Sequence, residues 1–454
     1  MSQIGYANVE ARVTSVRVSR AMGRVQAIGG GVVSVRNLSG IAVLGDLVRM
    51  DADGHSVGGE VIAIDRDTLT ILPDGSIEGL GVGDRVIHMG PATLSPDASW
   101  IGRVIDPMGR PLDGAPLLPG TRPRGIDDAP PAPAQRRGLG RRLSTGFCAF
   151  NTLLPLVRGQ RIGLFAGSGV GKSTLLAGLA QKVEADVIVI ALVGERGREL
   201  REFIDRVLGP AGMARSVIVA ATSDQSASLR RRCAPAAMAV AEHFRDAGRQ
   251  VLLLTDSVTR FADAHREIAL SRGEQASLGG YPPSLVTQIT GLCERAGPGL
   301  DDTGDITAIF TVLVAGADMD GPVADTLRGV LDGHVVLSRA IAERGRFPAI
   351  DLLRSVSRAL PYAASDQENT LIAESRRLIG AYEKAELMIQ AGLYATGSDR
   401  TVDAAIAAWP KLDPFIARTE TKTIQDSFVG LAKCLSRRPV VPEPAKAGAS
   451  EVSD

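Results

Sequence analysis

The chain has 454 residues, of which 44% are hydrophobic and 22% charged, a composition typical of globular proteins with two to four domains. Its 51 basic and 51 acidic residues give a net charge of zero. Proteins that bind nucleic acid usually have an excess of basic residues, so this balance disfavours a nucleic-acid partner. The four cysteines are scattered without C-x-x-C spacing and predict reduced thiols rather than a zinc site or a disulfide framework.

The first 22 residues lack the basic-then-apolar pattern of a signal peptide, and no apolar run approaches the roughly 20 residues that span a bilayer. Val9, Val13 and Val16 lie at helical spacing, which fits a partner-binding helix or a frayed tail equally well. We interpret residues 1–22 as a partner-binding segment and expect any link to a membrane to be made through partners.

Residues 23–95 contain short β-rich runs that alternate with Gly and Asp-Gly turns. This spacing predicts a small antiparallel β-barrel. A barrel of this size could be an oligonucleotide-binding fold, but no Phe, Trp or Tyr lies between Ala7 and Ser99. Because the barrel then has no platform on which bases could stack, we interpret it as a structural collar.

Residues 96–357 are predicted to form a central α/β domain. The sequence at 101–114 predicts a strand and two turns, and the Pro-rich, charged stretch at 120–142 predicts an exposed connector. Near-continuous Val/Ile/Leu runs separated by helical patterns follow, which is typical of a parallel sheet covered on both faces. These predicted strands lie at 187–193, 216–221, 250–256 and 306–314.

The β-type runs end at about Ala359, and helical patterns take their place. We predict a C-terminal α-helical domain over residues 358–436. Residues 437–454 are rich in Pro, Ala and Ser and are predicted to be a disordered tail.

The stretch from Arg161 to Leu176 has the strand–loop–helix order of a phosphate-binding loop. Its glycines let successive N–H groups turn toward an anion, Lys172 can reach the outer phosphates, and the Ser173 hydroxyl is placed to bind Mg²⁺. An alanine replaces the first glycine of the usual motif. The candidate nucleotide-binding residues are Ala166, Gly167, Ser168, Gly169, Val170, Gly171, Lys172, Ser173 and Thr174.

Three further side chains could complete a phosphoryl-transfer site. Asp256 ends an apolar strand, where a second group on the Mg²⁺ side is expected. Glu195 ends another strand and could polarise the attacking water, although it could also be a helix N-terminal Glu among solvated arginines. Arg358 could stabilise transition-state charge on a neighbouring subunit's nucleotide. The candidate catalytic residues are Lys172, Glu195, Asp256 and Arg358, and the candidate metal ligands are Ser173, Asp256 and Glu195.

The chain resembles the flagellar and type III protein-export ATPases, which are relatives of the rotary ATP synthase subunits. The motifs that carry this resemblance span most of residues 100–400: IGRVIDPMGRPLDG (101–114), RGQRIGLFAGSGVGKS (158–173), VGERGRE (193–199), LLTDSVTRFADAHREIAL (253–270), GYPPSL (280–285), LDGHVVLSRAIAERGRFPAID (331–351), SVSR (355–358) and GLYATGS (392–398). The segment GEQASLG at 273–279 departs from the pattern expected before GYPPS.

The resemblance implies a multidomain fold: a small N-terminal antiparallel β-barrel, a central RecA-like α/β P-loop NTPase core and a C-terminal α-helical domain. It also implies ATP as the nucleotide and Mg²⁺ as the cofactor. By the same resemblance each candidate has a role: phosphate and Mg²⁺ binding by Lys172 and Ser173, catalysis by Glu195, a second acidic group at Asp256, a finger acting in trans at Arg358, and adenine stacking by Phe347.

Rotary synthases divide the water-activating Glu and the trans-acting Arg between two kinds of subunit, whereas this chain has both Glu195 and Arg358. A ring of identical copies would then have a complete site at every interface, which predicts a homohexamer. We therefore expect a protein-export ATPase, flagellar in the first instance, with the injectisome ATPase as its close alternative. A non-catalytic rotary subunit would lack the carboxylate at 195, and the zero net charge disfavours an RNA translocase.

The expected partners are other copies of the chain, the regulator or stator and stalk proteins of the export apparatus, export substrates and their chaperones, with no nucleic acid among them. The expected location is the cytoplasm, at the inner face of the cytoplasmic membrane and attached to it through partners.

Overall fold

The computed structural model describes residues 19–52, 54–314, 321–420 and 423–435, together with positions 9, 10 and 13. Most of the predicted partner-binding segment at 1–22 and all of the predicted tail at 437–454 lie outside these residues. Among the helices of the described ranges, none is both long enough and apolar enough to cross a bilayer.

The N-terminal domain is a closed antiparallel barrel. Its strands in the described part of the chain are β1 (Met22–Gly29), β2 (Val32–Arg36), β3 (Leu47–Ala52), β4 (His55–Ile64), β5 (Thr68–Pro73) and β6 (Arg85–Gly90), joined in the order β1-β2-β5-β4-β3-β6. Alternate side chains point inward, and Val33 and Val35 of β2 meet Leu69 and Ile71 of β5 in a fully buried aliphatic core. The predicted barrel is confirmed.

A mostly parallel sheet forms the central domain. Its strands within the described ranges are β8 (Val104–Ile105), β10 (Arg161–Ala166), β11 (Val187–Glu195), β12 (Ser216–Thr222), β13 (Val251–Asp256), β14 (Ile306–Leu313), β15 (Gly333–Leu337) and β16 (Ile350–Ser357). They lie in the order β16-β15-β10-β14-β13-β11-β12-β8, and only the pairing of β15 with β16 is antiparallel. The four predicted apolar strands are confirmed as β11 to β14, and they are parallel to one another. The antiparallel edge strand β16 was not predicted.

Helices cover both faces of this sheet. Alternate residues of β11 supply two separate cores: Val187, Val189 and Ala191 pack on one face, and Ile188, Ile190 and Leu192 pack on the other. The described helices of this domain are α1 (Cys148–Asn151), α2 (Lys172–Lys182), α3 (Gly197–Glu202), a π-helix (Phe203–Leu208), α4 (Gly209–Met213), α5 (Ala227–Asp246), α6 (Val258–Ser271), α7 (Ser284–Arg295), α8 (Pro322–Val330) and α9 (Arg339–Glu343), with 3-10 turns at Ala98–Trp100, Pro133–Gln135 and Leu278–Gly280.

The stretch at 120–142 lies mostly at the surface, yet it is fixed to the central domain. Its strand β9 (Arg124–Gly125) pairs with β7 (Thr93–Leu94). Arg136 Nη1 donates to the Ala296 carbonyl at 3.1 Å, and Arg137 Nη2 donates to the Thr303 carbonyl at 2.7 Å. Arg136 and Arg137 thus fasten the predicted connector to the central domain.

The C-terminal domain consists of α10 (Asp366–Gln390), α11 (Arg400–Ala417) and α12 (Ile424–Cys434) in the described residues. A capping box between Ser365 and Glu368 begins α10, and the Glu368 carboxylate also accepts a hydrogen bond from Arg142 of the central domain at 2.8 Å. Tyr382 and Trp409 stack with ring centroids 4.2 Å apart and join α10 to α11. The apolar faces of the helices share one core with the central sheet, so the predicted helical domain is confirmed.

The barrel is attached to the central domain through a buried carboxylate. Glu60 of β4 contacts Arg231 at 2.5 Å and Arg232 at 2.9 Å, both on the first turns of α5, and Ser228 donates to it at 3.2 Å. Burial raises the pKa of Glu60, but the charges of Arg231 and Arg232 outweigh burial and hold the pKa below its ordinary value. The barrel and the central domain are thus joined by a buried ion-pair cluster, and removing either partner would leave a buried charge unpaired.

We expect the substitution Glu60→Gln to destabilise the chain by about 3 kcal/mol at neutral pH, because it leaves the buried arginines without their counter-charge. Thermal unfolding followed by circular dichroism would measure the loss as a lower midpoint. Since the pKa of Glu60 lies below its ordinary 4.5, its contribution should persist above that pH and fade only as the pH falls below it.

The matched control is Glu343→Gln, which breaks an exposed ion pair with Arg339 on α9 and should change stability by less than about 0.5 kcal/mol. Equal midpoints for the two variants would contradict the role assigned to Glu60.

Candidate active site

The glycine loop joins the end of β10 to the start of α2. Gly169 and Gly171 have φ values of 76° and 84°, a left-handed conformation that L side chains rarely adopt. A Cβ at position 171 would also lie 3.0 Å from the Phe347 ring. The N-terminus of the 11-residue helix α2 opens directly onto this loop, so its free backbone N–H groups are available to an anion.

Ala166, the departure from the usual motif, is the last residue of β10. It is fully buried in extended backbone and pairs with Leu313 of β14 and Leu337 of β15. An extended strand residue accepts a Cβ without strain, so alanine serves here as well as glycine. Val170 points into the core, which leaves its backbone as the part that can face a ligand.

Lys172 and Asp256 form an ion pair between the start of α2 and the end of β13. The Thr311 hydroxyl of β14 also donates to Asp256 Oδ1 at 2.9 Å. The Asp256 side chain is 6% exposed, so this buried carboxylate is compensated by one charge and one hydrogen bond.

Glu195 ends β11 ahead of α3, and its side chain is 16% exposed. Burial, the nearby charge of Asp256 and a hydrogen bond with Glu199 raise the pKa of Glu195 to about 7. Arg260 Nε lies 3.5 Å from Glu195 Oε1 and acts in the opposite direction. Glu195 also lies two residues before α3 and next to the exposed Arg196, so the helix N-terminal alternative describes its place in the chain. Its burial and a pKa near neutrality are the properties required of a proton acceptor.

Parallel pairing brings these groups to one edge of the sheet, since β10, β13 and β11 all end there. A cavity of about 240 Å³ at this edge is lined by Ser173, Glu195 and Asp256 among others. A hydroxyl and carboxylates beside a phosphate-binding loop are oxygen donors of the kind Mg²⁺ takes together with substrate phosphates. No cluster of three His, Cys, Asp or Glu suited to a metal occurs among the described residues. The hydroxyl and the two carboxylates fit a metal whose other ligands come from the nucleotide.

Phe347 lies beside the glycine loop, half exposed, on the segment between α9 and β16. It lines a second cavity of about 730 Å³ together with Gly171 and Thr174 of the loop and helix α2, and with Ala417 from the C-terminal domain. An aromatic ring at the wall of a cavity that adjoins the phosphate loop is placed to stack on a base.

Arg358 lies apart from the other candidates. Because β16 is antiparallel, its first residue Ile350 pairs with Leu337 near the glycine loop, and its last residue Ser357 pairs with Gly333 at the opposite edge. Positions 333 and 337 are four residues apart, so the end of β16 next to Arg358 lies about 13 Å along the strand from the edge that carries the glycine loop. The exposed Arg358 guanidinium donates to the Arg328 carbonyl at 3.2 Å, away from the phosphate loop of its own chain.

Sequence reasoning missed three groups that contact the candidate residues: Arg260, Glu199 and Thr311. Arg260, on the first turn of α6, pairs with Glu195 of a different strand, so it was visible only as part of the motif at 253–270. Thr311 gave no signal, because its contact with Asp256 depends on the pairing of two strands distant in sequence. Glu199 was visible only as part of the VGERGRE motif.

Two family descriptions match the chain. The ATP synthase alpha/beta family, nucleotide-binding domain, matches residues 146–357, and the T3SS EscN ATPase C-terminal domain matches residues 364–432.

Individual relatives match over nearly the whole chain. A flagellum-specific ATP synthase from Caulobacter vibrioides is 43% identical over 91% of this chain and 95% of its own length. A type 3 secretion system ATPase from Pseudomonas syringae pv. tomato is 40% identical over 94% of this chain and 97% of its own. Among solved structures, the assembled ATPase EscN in complex with its central stalk EscO, from the type III secretion system of enteropathogenic E. coli, covers 91% of this chain and 100% of its own, at 38% identity and a TM-score of 0.83. The chain therefore belongs to the family of ATPases that comprises the flagellum-specific ATP synthases and the type 3 secretion system ATPases.

Proposed function

We propose that this chain hydrolyses ATP to ADP and phosphate in a type III protein-export apparatus, and that the apparatus is flagellar. The observation that carries the proposal is the meeting of Ser173, Glu195 and Asp256 in one cavity beside the glycine loop. The flagellar assignment rests on the higher identity to the flagellum-specific relative, 43% against 40% for the secretion ATPase. The injectisome is the second candidate, favoured by the similarity to EscN.

In the proposed reaction, the backbone of residues 167–171 holds the phosphates, and Lys172 turns from Asp256 toward their charge. Glu195, as a carboxylate, orients a water molecule in line with the terminal phosphate and takes its proton as the bond to the leaving ADP oxygen breaks. Ser173 and Asp256, with Glu195 beside them, would hold Mg²⁺, which supplies charge neutralisation when bound. Phe347 stacks on the adenine ring.

Arg358 is proposed to act on the neighbouring protomer. It leaves the sheet at the edge opposite its own glycine loop, so an Arg finger from this position requires a second copy. Each chain would then contribute its glycine loop and Glu195 to one interface and Arg358 to the next, which supports a homohexameric ring.

The remaining partners are also proposals. EscN has been solved with its central stalk, and we propose that this chain binds a stalk protein, a regulator or stator, export substrates and their chaperones. We place the chain in the cytoplasm, held at the inner face of the cytoplasmic membrane by these partners.

The substitution Glu195→Gln should retain ATP binding and reduce turnover by about 10²- to 10⁴-fold, because the amide cannot accept a proton. Phosphate release and nucleotide affinity would be measured on the purified protein, with Glu343→Gln on the exposed face of α9 as the control. Near-wild-type turnover would contradict the role of Glu195.

In the native bacterium the same variant should abolish filament-protein export and swimming. Loss of needle-protein secretion with intact swimming would favour the injectisome.

The pH dependence of kcat/KM should show an acid limb with an apparent pKa near 7, since Glu195 becomes protonated and inactive as the pH falls through that value. Glu199→Gln removes the carboxylate whose hydrogen bond raises the pKa of Glu195, so the limb should move to lower pH and the ratio of the rate at pH 6 to the rate at pH 8 should rise. An unmoved limb would show that Glu199 does not set this titration.

Mixed rings test the trans arrangement. Glu195→Gln and Arg358→Ala should each be inactive alone, but in a random equal mixture about a quarter of the interfaces would join an intact Glu195 to an intact Arg358. Steady-state turnover should recover in proportion to this fraction of complete interfaces. The control mixes Glu195→Gln with the double variant, which restores no interface, and the absence of recovery in rings proven to be mixed would refute action in trans.

A further inference from the structure

Residues 344–348, between α9 and β16, separate two cavities. Phe347 and Pro348 line the larger cavity beside the glycine loop. Arg344 and Arg346 line a smaller cavity of about 150 Å³ on the other side of the segment, where the central sheet meets the C-terminal helices. Arg346, the residue directly before Phe347, therefore faces the C-terminal helices.

Arg346 is a buried cation in this smaller cavity. Its side chain is 9% exposed, its Nη2 donates to the Ile350 carbonyl at 2.7 Å, and its Nε lies 3.4 Å from Asp413 Oδ1 on α11. Burial lowers the pKa of Arg346, while the charges of Asp413 and Asp351 oppose that effect. Asp413 thus pairs with this buried guanidinium from α11, and Asp351 adds negative charge nearby.

A second ion pair from the same segment joins Arg344 to Glu386 of α10 at 2.6 Å. The Arg344 side chain is 52% exposed, so solvent screens this pair more than the pair of Arg346. The Arg346 guanidinium, by contrast, is bonded to the Ile350 carbonyl of β16 and lies within ion-pair distance of Asp413, so it connects the segment both to the central sheet and to α11.

Residues of helix α11 line both cavities. Asp413 lines the smaller cavity with Arg346, and Ala417, one turn further along the same helix, lines the larger cavity with Phe347. A movement of this turn would shift two residues together: Asp413, which pairs with Arg346, and Ala417, which lines the cavity of Phe347.

We propose that Arg346 and Asp413 form a clamp through which α11 sets the position of Phe347, which makes Arg346 a positioning residue for the base of the nucleotide. The inference rests on the proposed stacking of Phe347 on adenine. The clamp acts on binding of the base, because neither residue lines the cavity that contains Glu195 and Asp256.

The substitution Arg346→Met keeps the aliphatic stem and removes the charge. It should raise KM for ATP by about 5- to 10-fold, the value of one aromatic stack, and change kcat by less than about 2-fold. Asp413→Asn should shift KM in the same direction, and Arg346→Lys, which retains the charge, should recover part of the loss. Arg339→Met, on the exposed face of α9, is the matched control and should leave both constants unchanged.

Tripolyphosphate separates positioning of the base from damage to the fold, because it occupies the phosphate loop and has no base. Its inhibition constant against ATP hydrolysis should be the same for wild type and Arg346→Met. An equal weakening of ATP and tripolyphosphate would overturn the clamp, as would an unchanged KM for ATP in both Arg346→Met and Asp413→Asn.

Phe347→Ala, measured in parallel, tells failure of the clamp from failure of the proposed function. A raised KM in Phe347→Ala together with unchanged clamp variants refutes the clamp alone. An unchanged KM in Phe347→Ala refutes the stacking on which the clamp rests, while Glu195→Gln still tests hydrolysis by itself.

Discussion

Two buried carboxylates and one ammonium group meet at the carboxyl edge of the central sheet, and this shortage of positive charge governs the site. Lys172 pairs with Asp256, so Glu195 is left with Arg260 at 3.5 Å and a hydrogen bond to Glu199. Burial and the negative charge of Asp256 outweigh the charges of Arg260 and Lys172 and raise the pKa of Glu195 to about 7. The arrangement depends on strand pairing, since β11 and β13 lie side by side and end at this edge.

The other domains are also attached through buried charge. Glu60 joins the barrel to α5, Glu368 joins the helical domain to Arg142, and the buried guanidinium of Arg346 pairs with Asp413 of α11. Apolar contacts of the same volume would often be at least as stable as buried ion pairs. Ion pairs have defined partners and directions, however, and we interpret them as fixing how each domain is oriented on the central sheet.

Local sequence was enough to predict the barrel, the long buried strands and the glycine loop, because each depends on neighbouring residues and on one hydrophobic period. The bounds of β15 and β16 were not predicted, because GHVVL is short and β16 has exposed, charged positions. The contact of Glu60 with α5 spans about 170 residues of sequence, and the approach of Thr311 to Asp256 needs the sheet order, so neither left a local pattern. The roles of Lys172, Ser173, Glu195, Asp256, Arg358 and Phe347 stay predictions, although the structure brings all except Arg358 to the glycine-loop edge.

The lack of aromatic side chains in the barrel has an optical consequence. Both tryptophans lie elsewhere, Trp100 in the core under the central sheet and Trp409 in its stack with Tyr382. Trp409 borders the same small cavity as Arg346 and Asp413, where a change in nearby charge alters the emission of an indole. The molecule thus carries a native fluorophore at the junction of two domains, while its N-terminal domain contributes no ultraviolet emission that would obscure the signal.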